Sequence, residues 1–213
     1  MKRIMLPDFG GGGGQPAPAD HDYGNVLGAP FAVFLKNGVT RLVDQTTGKT
    51  MVDITDLPGL VAATVRSRVL HPRKLSPADL KFLRSALAMK SKHLAKMVEL
   101  TPEFYSRCET GQKIMSGPTE KMFRTCAFLL SYRNHKDIRD FVKGKTAAEK
   151  TLRPEEAQKV LTDIKRLFFD MKISAVFEVE DGELSFTFTR RCPDDGAPCG
   201  DEDEKWDNEL KAA

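Results

Sequence analysis

The stretch KSKHLAKMVELTPEFYSRCETGQK, residues 90–113, decides how this chain is read. Its first part sets Leu94, Ala95 and Val98 at the spacing of one helical face. Its second part does the same with Tyr105 and Cys108. Between them Thr101 is a good N-cap, Pro102 takes the first helical position, where a missing N–H costs nothing, and Glu103 complements the helix dipole. Gly111 then stops the second helix, as a left-handed residue after a C-cap does. Two short helices therefore meet at a tight turn, and the small Ala95 suits the close approach that such a crossing demands.

Upstream, LSPADLKFLRSALA opens on Ser76 as N-cap, with Pro77 first and Asp79 third in a helix whose buried face is Leu80, Phe82, Leu83 and Leu87. Downstream, MSGPTEKMFRTCAFLLSYR supplies further helix, with Ser116 and Thr119 at its start. The pattern predicts that residues 72–142 are wholly helical.

In LKFLRSALAMKSKHLAKMVELTPEFYSRCETGQK, residues 80–113, the chain resembles the lambda-repressor-like (XRE) helix-turn-helix family. The match runs through Leu94-Ala95, through Tyr105-Ser106-Arg107-Cys108-Glu109, and ends at Gly111. Pro118, Glu120, Met122 and Phe123 match the family's next helix. With ITDLPGL and LHPRKLSPADLKFLR ahead of it, the module resembles the DNA-binding half of MqsA-like antitoxin regulators, over residues 53–130.

The resemblance implies that the helix after Thr101 enters the major groove of double-stranded DNA. Its base-reading positions would be Pro102, Glu103, Ser106 and Arg107. Arg107 is the strongest of them, because a guanidinium can take guanine O6 and N7 in a bidentate pair. Glu103 can accept from cytosine N4, or orient Arg107 from one helical turn away. Contacts to the DNA backbone would come from Lys90, Ser91, Lys92, Thr101, Gln112, Lys113 and Ser116. Arg84 and Glu109 are implied as a structural ion pair tying the first helix to the third. Glu99 stands where the family usually carries glycine, a turn conformation costly for a residue with a Cβ. MqsA-like proteins hold zinc through paired CxxC motifs. This chain has none, and no metal or other cofactor is expected.

Charge supports a polyanion partner. The net charge is +3, but counting along the sequence gives −1 for residues 1–63, +11 for residues 64–150 and −7 for residues 151–213. Concentrated Lys and Arg in the middle third is the footprint expected of nucleic-acid binding.

The flanks read differently. Residues 1–25, with five consecutive glycines before QPAPAD, read as a flexible arm. Residues 26–56 form a small β region, in which Asn37-Gly38 suits a hairpin turn and Gly48 a second one. Residues 57–145 make the DNA-binding domain, entered through the helix LPGLVAATVRSRVL, capped by Thr55 or Asp56. Residues 150–191 combine an amphipathic helix, with Val160, Leu161, Ile164, Leu167 and Phe168 on one side, and a hairpin turning at Asp181-Gly182 that carries Phe177, Phe186 and Phe188. This is the candidate dimerisation or effector element. Residues 192–213 are an acidic tail in which WDNEL could form a last helical turn. The fold class expected is therefore α+β, mainly α, with a central helix-turn-helix bundle between a small N-terminal antiparallel sheet and a C-terminal helix plus β-hairpin.

Cys108 and Cys126 fall in helices as small hydrophobes, while Cys192 and Cys199 flank PDDGAP and could pair. The four histidines are not arranged with a nucleophile and a carboxylate, so no enzyme is expected. No apolar run approaches the roughly 20 residues of a spanning helix. The expectation is a cytoplasmic, nucleoid-associated protein of bacterial or phage origin. It would be a sequence-specific transcriptional regulator, a repressor or autoregulator, acting as a homodimer on an inverted repeat. The alternative is an antitoxin-like protein that neutralises a toxin and regulates its own operon. A partner protein, toxin or effector, belongs to either reading.

Overall fold

The computed structural model describes residues 4–5, 21–43, 50–132, 154–174, 184–191 and 205–208. The chain is α+β and divides into two units, Met1–Thr64 with Glu183–Ala213, and Val65–Gly182. The described elements run β1 (Ile4–Met5), α1 (Gly24–Leu27), β2 (Ala32–Leu35), β3 (Val39–Val43), β4 (Thr50–Ile54) and α2 (Leu57–Leu70). They continue with α3 (Pro77–Ala86), α4 (Ser91–Met97), α5 (Pro102–Glu109), α6 (Gly117–Leu130), α7 (Pro154–Lys165) with a π-helical turn (Arg166–Asp170), β5 (Ser185–Arg191) and β6 (Lys205–Asn208).

The first unit holds two three-stranded sheets, ordered β1-β4-β3 and β2-β5-β6. β3 and β4 pair antiparallel, Val39 opposite Ile54 and Val43 opposite Thr50. β2 pairs instead with β5, in parallel, Val33 opposite Phe186 and Leu35 opposite Phe188. Asn37-Gly38 is therefore not the turn of a hairpin but the crossing from one sheet to the other. The physical reason lies in Asn37, whose side chain extends the β2–β5 ladder. Its Nδ2 donates to Arg190 O at 3.0 Å and its Oδ1 accepts from Arg190 N–H at 2.7 Å.

The supposed arm and tail also contribute structure. Ile4 and Met5 pair with β4. Asp22 Oδ1 accepts from the N–H groups of Gly24 and Val33, and Tyr23 is buried. WDNEL does not begin a helical turn: Lys205–Asn208 is a strand, antiparallel to β5, with Trp206 buried. Its indole Nε1 donates to Asp56 O at 3.2 Å, and its ring lies so close to Gly38 (φ 73°) that a Cβ there would stand 2.7 Å from it. Of the hairpin expected at Asp181-Gly182, the turn, the first strand and Phe177 lie outside the described residues. The second strand pairs with β2 and β6, and Phe186 and Phe188 alternate into the core. Cys192 and Cys199 also lie outside the described residues.

The described residues of the second unit are mainly helical. α3 begins with a reciprocal capping box, in which Ser76 Oγ accepts from Asp79 N–H and Asp79 accepts from Ser76 N–H. Leu80, Phe82, Leu83, Leu94, Ala95, Val98, Tyr105, Cys108, Phe123, Ala127 and Phe128 form its core. Connectors at 72–76, 87–90, 98–101 and 110–116 interrupt the run expected to be wholly helical, and residues 133–142 lie outside the described ones. α7 packs through Val160 and Leu167, but Leu161 and Phe168, expected on that buried side, are exposed.

Charged side chains fill one part of this core. Arg68 donates from Nε and Nη2 to both oxygens of Asp79, at 2.8 and 2.7 Å. Arg124 reaches the carbonyls of Val69, His71 and Arg73 and pairs with Glu120 Oε1 at 2.8 Å. Glu120 also takes Lys74 Nζ at 3.1 Å and Leu75 N–H at 2.9 Å. A buried carboxylate is tolerated only with such a full set of donors. The network holds the loop at 71–75 between α2 and α3, which in turn fixes where α3 starts.

Candidate nucleic-acid interface

α4 and α5 are joined by the turn Val98-Glu99-Leu100. Leu100 N–H returns to Ala95 O at 2.9 Å, closing α4 with Glu99 in the left-handed region at φ 55°. Glycine would adopt this conformation freely, whereas glutamate pays steric repulsion at its Cβ. Ala95 is fully buried in the preceding turn.

α5 starts where Thr101 Oγ1 accepts from Phe104 N–H at 3.1 Å, with Pro102 next. Tyr105 and Cys108 turn inward, and the Tyr105 ring packs 6.0 Å from that of Phe123 on α6. Burial, with the neighbouring Glu109 carboxylate, pushes the Tyr105 hydroxyl well above its usual range, so it stays protonated. Burial also raises the Cys108 thiol, which makes it a packing group rather than a nucleophile. With these two side chains inward, the helical period leaves Pro102, Glu103, Ser106 and Arg107 exposed together. Thr110 continues that face, a position the sequence reading passed over. Its hydroxyl donates to the carbonyls of Ser106 and Arg107. No ion pair joins Glu103 to Arg107 among the described residues.

The end of α5 is built by Gly111 at φ 79°, after which Gln112 and Lys113 both donate their N–H groups to Arg107 O. Gln112 and Lys113 are exposed. At the start of α6 Ser116 Oγ accepts from Thr119 N–H at 3.4 Å, and the two hydroxyls lie 2.8 Å apart. Lys90 and Lys92 are exposed at the start of α4, but Ser91 faces inward enough for its Oγ to lie 3.4 Å from Glu109 Oε2. Glu109 Oε1 meanwhile takes Arg84 Nε at 2.6 Å. Ser91 thus has a partner inside the fold, which competes with the backbone contact expected of it.

The structure divides the basic residues of the middle segment. Arg68, Lys74 and Arg124 are buried and paired, Arg68 with Asp79 and the other two with Glu120, and Arg84 is paired with Glu109. Six cationic side chains between residues 65 and 132 are exposed: Lys81, Lys90, Lys92, Lys96, Arg107 and Lys113. Glu99 and Glu103 are the exposed acids of the same span. The surface is therefore more one-sided in sign than the interior, although much of the raw charge is internal. Sequence pattern gave no warning about Arg68 and Lys74. The Glu120–Arg124 pair, by contrast, has the i,i+4 spacing of a helical ion pair.

Among the described residues no group of His, Cys, Asp or Glu could hold a metal ion, and no helix is long and apolar enough to cross a membrane. No family model, no curated protein and no solved structure matches the chain.

Proposed function

We propose that α4 and α5 act as a helix-turn-helix and that the chain is a sequence-specific DNA-binding regulator. One observation carries the reading: α5 presents Pro102, Glu103, Ser106 and Arg107 on one exposed face, anchored from behind by Tyr105 and Cys108, amid six exposed cations and two exposed acids. A short, rigidly backed helix with a free guanidinium can enter a major groove and take guanine in a bidentate pair. Lys90, Lys92 and Lys113, with the hydroxyls of Thr101 and Ser116, would contact phosphates and set the register. α5 spans few base pairs, so two copies on an inverted repeat supply the specificity one lacks. Repression or autoregulation at such an operator is the proposed outcome.

The exposed apolar side chains of α7 favour a second role, engagement of a partner protein, as an antitoxin-like regulator would require.

Footprinting on the DNA upstream of its own reading frame tests the regulator. Arg107→Ala should abolish site preference. Lys92→Ala should weaken specific and non-specific binding alike and lower the salt slope by about one. Equal binding of the wild type to random DNA at moderate salt would sink the proposal.

A further inference from the structure

The last helix of the second unit carries apolar side chains that its own core does not use. α7 and its π turn bury Val160, Leu167 and, just beyond, Met171. Next to that buried line, Leu161 is 61% exposed, Phe168 44% and Phe169 80%. Single exposed apolar residues need no explanation, but a leucine and two adjacent phenylalanines on one short helix form a patch. Lys121 on α6 closes the end of the π turn, its Nζ donating to Phe168 O at 3.0 Å, and half-exposed Met122 follows it. From residue 159 to residue 172 the exposed cations are Lys159, Lys165, Arg166 and Lys172, with Asp170 exposed and Asp163 half-buried among them, while the sequence of α7 opens with Glu155 and Glu156.

We infer that this face docks an acidic amphipathic segment of a partner polypeptide, whose apolar side chains cover Leu161, Phe168 and Phe169 and whose carboxylates meet Lys159, Lys165 and Arg166. Charge complementarity selects the occupant. A second copy across a two-fold axis would set the patch against itself, cation facing cation. A nucleic acid would use the cations but gain nothing from Leu161 and Phe169, because phosphate contacts are polar. Binding flat on an anionic lipid surface needs a broad apolar face. α7 has already committed one side to Val160 and Leu167, leaving a narrow stripe.

The test uses the full chain and a short fluorescent helical peptide with leucines at helical spacing and glutamates elsewhere, followed by anisotropy. A matched peptide with lysines in place of the glutamates is the control. The glutamate peptide should bind at least about tenfold more tightly, a preference that added salt reduces. Leu161→Ser with Phe169→Ser, both outside the core, should weaken that binding about tenfold or more without changing the helical circular dichroism. Lys165→Glu with Arg166→Glu should reverse the preference between the peptides. Equal binding of the two peptides overturns the inference, as does indifference to the serine variant. So does self-association, or binding to phosphatidylserine vesicles, that the serine variant abolishes while peptide discrimination is absent. None of these residues lies on α4 or α5, so failure here and failure of the operator experiment are separate results.

Discussion

Glu109 at the end of α5 joins three helices: its Oε1 takes Arg84 Nε–H from α3 at 2.6 Å, and its Oε2 lies 3.4 Å from Ser91 Oγ on α4. The carboxylate thereby sets the angle at which the exposed face of α5 is presented. Removing one partner leaves the other charge partly buried and unpaired, which costs more than the pair itself contributes. Glu109→Gln and Arg84→Met should each lower stability by about 2 kcal/mol. The double variant should lose clearly less than the sum. Urea denaturation followed by helical circular dichroism measures all three, and strict additivity would mean that the two side chains are not coupled.

Glu99 offers the opposite experiment, a stabilising one. At φ 55° it holds a conformation that glycine adopts without steric cost, and its side chain is exposed. Glu99→Gly should raise stability by about 0.5–1 kcal/mol, the relief of Cβ repulsion exceeding glycine's greater unfolded-state entropy. A higher urea midpoint at unchanged slope is the expected signature. A lower midpoint would show that the Glu99 side chain makes a contribution the turn geometry does not reveal.

His71 couples the helical unit to pH. Burial, reinforced by the charges of Arg68, Arg124 and Arg73, lowers it from 6.5 to about 4. Because the folded value lies below the unfolded one, the unfolded chain binds the proton first. Stability is therefore full above about pH 6.5 and falls as pH drops towards 4. Asp79 adds a second, more acidic loss. Burial alone would raise its value, but the hydrogen bonds and charge of Arg68 and the N–H of Ser76 hold it below the ordinary carboxylate range. Its contribution is present above the unfolded carboxylate value and disappears as pH falls through the folded one. His71→Gln should flatten the urea midpoint between pH 6.5 and 4 while leaving the more acidic loss in place. An unchanged profile in the variant would exclude His71 as the source.

Trp206 is the sole tryptophan and reports on the first unit alone. Its ring covers Gly38, where a Cβ would come within 2.7 Å. Gly38→Ala adds that clash to a φ of 73°. It should destabilise the first unit by about 1–3 kcal/mol and shift the tryptophan emission to the red. The helical signal of the second unit should persist in the same variant. Concerted loss of both signals would show that the two units unfold as one.

Much of the helical unit was legible along the chain, for a physical reason. Helix starts and stops depend on residues within four positions of one another. Ser76 with Asp79, Thr101 with Pro102, and Gly111 therefore announce themselves locally. The inward spacing of Leu94, Ala95, Tyr105 and Cys108 also follows from helical period alone, and once those face inward the exposed face of α5 is determined. What lay beyond reach was pairing between distant segments. Asn37-Gly38 has the local signature of a hairpin, yet β2 turned from its neighbour to a strand some 150 residues away, because Asn37 and Arg190 complete a ladder that only the folded chain brings together. In the same way an acidic tail conceals a strand whose Trp206 finds its place over Gly38. A count of basic residues likewise cannot tell that Arg68, Lys74 and Arg124 turn inward to Asp79 and Glu120. Local sequence determined the helices and which of their faces are buried. Tertiary structure decided which strands pair and which charges remain at the surface, since both depend on partners that no short window of the chain contains.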